Sequence, residues 1–221
     1  MVFMGSGSFA ELIVGGETRV DVLVLAVAGE LGACDAEGAF EQLDSLGSEI
    51  AEALGGGGSP RAELDAVVAV LGRRHGFVGN RENYDDPDNS MLDRVLARRT
   101  GLPILLSIVY VEAARRAGID LGGVGLPGHF VAGHFGEDPP LLVDPFASGE
   151  RLELPGLVGV VRAGAHETVL RVLNNLVGSY RRRNDVSRAI RSAELRMALP
   201  LGETQAAALE LELRSIRSAL N

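Results

Sequence analysis

Residues 103–117 constrain the fold of this chain more than any other stretch. Ile104, Leu105, Leu106, Ile108, Val109, Val111, Ala113 and Ala114 put apolar side chains on nearly every face of a helix. A helix that is apolar all round has no face to give to water, so it lies at the centre of a fold. Pro103 suits its first turn, where the missing N–H costs nothing. Arg115 and Arg116 place cations at the negative end of the helix dipole, and Gly118 follows as the stop. The rest of the chain has to cover this helix.

Amphipathic helices precede it. Arg19 to Leu31 is apolar at Val20, Val24, Val27 and Leu31, and Phe9 to Leu12 forms a short lead-in. Asp35 to Leu54 carries Phe40, Leu43, Leu46, Ile50 and Leu54 at spacings of three and four. A glycine run and Pro60 open a third helix, which reaches about His75 with Leu64, Val67, Val68 and Leu71 on one face. Residues 77–89 have no period. Their Asn, Asp and Pro content predicts a structured loop, whose polar groups either line a site or satisfy turns. Ser90 with Asp93 predicts a capped start to a helix from Met91 to Thr100.

Strands follow at about Gly123 to Phe135 and Pro140 to Phe146, joined by a turn at 136–139, with a further edge at Leu157 to Arg162. Beyond Thr168 the pattern is helical throughout. The expected class is therefore α+β. A helical N-terminal region and a central buried helix pack on a small antiparallel sheet, and an α-helical tail follows. The expected division is a domain over 1–160 and a tail over 161–221.

Composition excludes several roles. The net charge of −9 argues against a nucleic-acid partner, although residues 162–221 alone carry 10 arginines against 6 acids. All 21 basic residues are arginine. The longest apolar runs fall short of the roughly 20 residues that span a bilayer, so no membrane partner is expected. The first ten residues lack the pattern of a secretory signal. One cysteine rules out an internal disulfide and suits a reducing compartment, so the expected location is the cytoplasm.

A helix start at Pro103, then His129, then Asp144 form, in that chain order, the frame of a thiol hydrolase or acyltransferase. In such a site the helix end lowers a thiol pKa, the histidine takes the proton and the aspartate orients the imidazole. The chemistry needs a cysteine at the helix start, and this chain has Pro103 there. Its single cysteine, Cys34, lies in a predicted turn between two N-terminal helices. Ser107 is the candidate substitute, one turn inside the helix and so about 6 Å from the thiol position. More often a serine in such a helix bonds the carbonyl four residues back. An open cleft in which His129 Nδ1 meets Asp144, with a free imidazole edge toward solvent, would keep chemistry available. His134, five residues after His129, faces away in a regular strand, so no metal site is expected. No cofactor is expected either.

Five short segments, in order, resemble the transglutaminase-like superfamily and within it the SirB-type branch. They are Gly76 to Asn80, Asp86 to Ser90, Gly101 to Ile104, Gly125 to Phe130 and Val143 to Phe146. With the helical lead they cover roughly residues 9–155. The resemblance implies a papain-like core in which a cysteine helix packs on an antiparallel sheet. It puts the family's histidine on His129, its aspartate on Asp144 and its cysteine on Pro103. Asn89, Ser90 and Pro103 are then expected to line the cleft.

In the tail, Leu173, Leu176, Tyr180, Ala189, Ala193 and Pro200 resemble one tetratricopeptide repeat over about 168–200, with a helix from Thr204 to Leu220 after it. One repeat cannot bury its own apolar face, so it packs on the core, on a second copy or on a protein partner. Three readings stand. The chain is a non-catalytic relative that binds a peptide, a protein or a small ligand. Alternatively, it is a hydrolase or acyltransferase using His129 and Asp144 with water or Ser107. Or it is an adaptor that works through its C-terminal helices. The sequence sets no oligomeric state.

Overall fold

The computed structural model describes residues 7–153 and 159–218. In chain order the helices and strands are α1 (Phe9–Val14), α2 (Val20–Leu31), α3 (Ala36–Leu54), α4 (Pro60–Val68), β1 (Val78–Gly79), α5 (Leu92–Arg98), β2 (Thr100–Gly101) and α6 (Pro103–Arg116), followed by β3 (Leu121–Leu126), β4 (His129–His134), β5 (Leu141–Asp144), β6 (Glu150–Leu152), α7 (Ala165–Arg182), α8 (Val186–Arg196) and α9 (Glu203–Ser218). The fold is α+β, with a four-stranded antiparallel meander β3-β4-β5-β6 and a two-stranded parallel pair β1-β2. Among the described residues no helix is long and apolar enough to cross a membrane.

The chain divides into two compact units, residues 35–164 and a second formed by the residues up to 34 together with those from 165 onward. The sequence-based division at 160/161 left the leading helices with the core. The structure instead groups α1 and α2 with the tail, where α2 packs against α7 and α8. Within that unit Asn184, at φ 58°, turns the chain between α7 and α8, and Asp185 caps α8 through Arg188 N at 3.0 Å. Val169, Val172, Leu173, Leu176, Ala189 and Ala193 are buried between the helices. The last helix ends its described course at Ser218, so the expected end at Leu220 lies outside the described residues.

In the core unit α6 is the centre, as its composition requires. Leu105, Leu106, Val109, Tyr110, Ala113 and Ala114 are all 0% exposed. It packs against α3 and α5 and against strands β3 and β4. Val124, Val131 and Leu142 form a small buried cluster with Leu126, Phe135, Leu152 and Val160 around it.

Several local expectations change. The predicted strand from Gly123 to Phe135 is two strands, because Pro127 and Gly128 (φ 70°) turn the chain and pair Leu126 with His129. A proline sets the first central turn residue and only glycine adopts positive φ freely at the second. The edge strand is Glu150–Leu152. Of the segment expected at Leu157 to Arg162, residues 157 and 158 lie outside the described residues and 159–162 form no strand. The third helix widens into a π-helical turn over Ala69–Arg74. The capped start at Ser90 does not form: Met91 is the residue before α5, no side chain caps it, and Asp93 accepts from Asp35 N at 3.3 Å.

Candidate functional site

The start of α6 is fixed from several sides. Thr100 and Gly101 pair with Val78 and Gly79, and Asn80 N donates to Gly101 O at 3.1 Å. Leu102 N donates to Asn89 O at 3.0 Å. Pro103 is the first helical residue, buried, and the first bond of the helix runs from Leu106 N to Leu102 O at 3.0 Å. No side chain caps this end.

Ser107 ties the helix to the sheet. Its hydroxyl is fully buried, 2.8 Å from Pro103 O and 3.2 Å from Phe130 O. Phe130 follows His129 in β4, so one hydroxyl links the first turn of α6 to the strand that carries the histidine.

His129 and Asp144 come together. The imidazole Nε2 lies 2.9 Å from Asp144 Oδ2, with the side chains 29% and 15% exposed. The β4–β5 register pairs Ala132 with Val143. Continued, it would set His129 opposite Phe146. The ladder stops at Asp144, because Pro145 has no N–H to donate and opens a 3₁₀ turn over Pro145–Ala147. Asp144 caps that turn, accepting from Phe146 N at 2.9 Å through Oδ1. One carboxylate oxygen thus serves the backbone and the other serves the imidazole.

The ring nitrogen engaged is Nε2, not the Nδ1 that the sequence reading named as the sign of available chemistry. A carboxylate only accepts, so Nε2 carries the proton. In the neutral ring Nδ1 is then a bare acceptor. It meets no partner among the described residues. Beneath the pair, Tyr110 is fully buried and its hydroxyl makes no hydrogen bond within the described structure. Burial first, and then the Asp144 carboxylate, push this phenol well above its ordinary range.

Phe146 forms the outer wall. Its ring packs edge-on to His129, with centroids 6.3 Å apart, and to Tyr84, at 6.1 Å. The Arg81 guanidinium sits 5.2 Å from its centroid. The ring can approach because residue 79 is glycine: a Cβ there would fall 2.3 Å from Phe146 Cδ2 and Cε2.

Asn89 holds the loop that carries Arg81 and Tyr84. It is fully buried. Its amide nitrogen donates to Asn83 O at 2.7 Å and Tyr84 O at 3.3 Å, and its oxygen accepts from Asn80 Nδ2 at 3.0 Å and Arg98 Nη2 at 3.2 Å. Ser90 is 2% exposed and its hydroxyl has no partner among the described residues. His134 belongs to a different network. Gly136 N donates to its Nδ1 at 3.0 Å, and its Nε2 lies 2.7 Å from Glu63. Among the described residues no group of three His, Cys, Asp or Glu side chains is placed to hold a metal. Cys34 is half-buried with Sγ 3.7 Å from Leu25 O.

The sequence model described as transglutaminase-like superfamily matches residues 37–190. The chain belongs to the transglutaminase-like superfamily. Among the proteins it is similar to, a UPF0162 protein of Xylella fastidiosa is 36% identical over 151 residues, covering 60% of this chain and 54% of that protein. A UPF0162 protein of Vibrio cholerae is 30% identical over 87 residues, 39% of this chain and 32% of its own length. Human F-box only protein 21 is 43% identical over 68 residues, 31% of this chain and 11% of that protein. The chain thus spans about half the length, or less, of the curated relatives it matches. No solved structure matches it significantly.

Arg81, Tyr84 and Phe146 were not singled out by sequence reasoning as site residues. The only signal was the motif around Asp144, which contained Phe146 without giving it a role.

Proposed function

We propose that the protein is a non-catalytic member of the superfamily, whose cleft at the mouth of α6 binds a peptide, a protein partner or a small ligand without a covalent step. The observation that carries this is Pro103. It sits buried at the first position of α6, where it offers neither a nucleophile nor a backbone N–H. Ser107 does not fill the gap, since its hydroxyl is fully buried and directed at two backbone carbonyls. What the cleft retains is recognition chemistry: a partly exposed imidazole with a free Nδ1, oriented by Asp144. Asn89 acts here as a positioning residue for the 80–89 loop. A reducing, cytoplasmic setting suits the single half-buried thiol. The C-terminal helices are a further place for a protein partner, supported by Leu211, 66% exposed on α9.

A second reading, hydrolysis with water as nucleophile, is favoured by that same free Nδ1, which has the valence of a general base. One experiment separates the two. Ester, thioester and amide substrates are offered to the wild type and to His129→Ala. The binding reading expects no turnover that depends on His129. Turnover lost in His129→Ala, with the variant still folded, would replace it with the hydrolytic one.

A further inference from the structure

The proposed cleft has an edge that the His129–Asp144 pair does not use. Phe146 is ringed by three polar-tipped side chains: Arg81 over its face, and His129 and Tyr84 at its edges. Arg81 makes no hydrogen bond or ion pair with any described residue, in a chain with 30 acids against 21 basic residues. Its guanidinium is held on the aromatic face with its N–H edges free. Tyr84 is 49% exposed. The segment that presents Arg81 and Tyr84 is not loose. Asn89, Asn80 and Asn83 bind it through four hydrogen bonds.

Resting on the binding reading above, the geometry points to a carboxylate as the group this cleft recognises, borne by a peptide next to an apolar side chain. Arg81 takes the carboxylate through its planar fork, which matches two carboxylate oxygens. The apolar side chain lies on Phe146 and Tyr84. Nδ1 of His129, a bare acceptor, takes a peptide N–H. Arg81 and His129 flank one ring, at 5.2 and 6.3 Å from its centroid, so they lie no more than about 11.5 Å apart, within the reach of a short extended peptide of up to about four residues. The carboxylate is that of a chain end or of an acidic side chain, and the chemistry at Arg81 is the same for both.

The test is an NMR titration of the full chain, observing the His129 ring and the Gly79 amide. Four probes are used: N-acetyl-phenylalanine, N-acetyl-phenylalaninamide, N-acetyl-aspartyl-phenylalaninamide and inorganic phosphate. At least one carboxylate probe is expected to shift both signals saturably, in the millimolar range. N-acetyl-phenylalaninamide is expected to bind at least about tenfold more weakly, since it lacks the charged bidentate contact. Arg81→Gln should bring the carboxylate probe down to the level of the amide, and Arg81→Lys should restore part of the difference. Arg81 is exposed and outside the core, so these variants stay folded.

Stronger binding of the first carboxylate probe assigns a chain end, and of the aspartyl probe a side chain. Equal binding of acid and amide, no effect of Arg81→Gln, no saturable shift from either carboxylate probe, or phosphate binding as tightly as they do would each overturn the inference. Probes that move the His129 signals irrespective of Arg81 leave the cleft reading standing and remove this one. Ester turnover that depends on His129 removes the non-catalytic reading and, with it, the ground of this one.

Discussion

Pro103→Cys, made in a Cys34→Ser background, asks whether the mouth of α6 still has the electrostatics of a thiol site. The 14-residue helix ends there with no side-chain cap. A helix N-terminus stabilises an adjacent anion by about 0.3–2 kcal/mol, the upper end applying where it is partly buried. At about 1.36 kcal/mol per pKa unit this lowers a thiol by up to about 1.5 units. The imidazole lies one residue along β4 from Phe130, whose carbonyl is 3.2 Å from Ser107 Oγ, one turn along α6. A protonated ring at that remove adds about one unit, below the 1–3 units of a direct contact. Burial opposes both, because it disfavours the thiolate. The balance is a thiolate midpoint about 1–2 units below the ordinary value of about 8.5. Ultraviolet thiolate absorbance across a pH titration measures it, and adding His129→Ala should raise the midpoint by about one unit. A midpoint at or above the ordinary value, indifferent to His129, would show that α6 does not open on the dyad. The comparison of position 103 with a nucleophile site would then fail.

Three other outcomes follow from particular contacts. Asn89→Ala removes four part-buried hydrogen bonds and frees the 80–89 loop, so urea unfolding should show a loss of about 2–3 kcal/mol. Gly79→Ala puts a methyl 2.3 Å from Phe146 and should displace the ring at a cost of about 1–3 kcal/mol, seen as altered His129 and Phe146 side-chain shifts. The Glu49 carboxyl is held below its usual range, chiefly by its hydrogen bond from His75. A depressed folded pKa gives stability that is present above the unfolded value and is lost as pH falls through the folded one. Glu49→Gln should therefore flatten the acid side of the stability profile, by no more than about 1 kcal/mol for a half-buried group that water still reaches.

The central helix was legible because an all-round apolar segment admits one location. The meeting of His129 with Asp144 was legible because antiparallel strands bring such positions together. The split at Pro127-Gly128 had a signal, since that dipeptide marks a turn, but the apolar alternation through it read as one strand. The π-helical turn at Ala69–Arg74 shows no departure in its apolar spacing and left no trace. The Ser90 cap failed because a 3₁₀ turn over Pro87–Ser90 claims the residue first. The Arg81–Phe146–Tyr84 cluster joins residues some sixty positions apart through ring faces, which carry no period. The pairing of α2 with α7 and α8 is equally invisible, since an amphipathic face states that it is buried but not against what.

Proline at position 103 leaves the frame intact for a reason visible in the bonds around it. The strand pair β1–β2, the Leu102 N to Asn89 O bond and the Ser107 bond to the sheet fix the start of α6, and none involves the side chain of residue 103. The first helical N–H has no intrahelical acceptor in any case, so losing it removes no bond. Asp144 is held by the backbone of Phe146, so His129 stays oriented whether or not a nucleophile faces it. The scaffold and the covalent chemistry are therefore separable: the fold keeps an aimed imidazole and an aromatic wall with no thiol to serve. Beside that wall, Arg81 is the charge that finds no hydrogen-bond or ion-pair partner among the described residues.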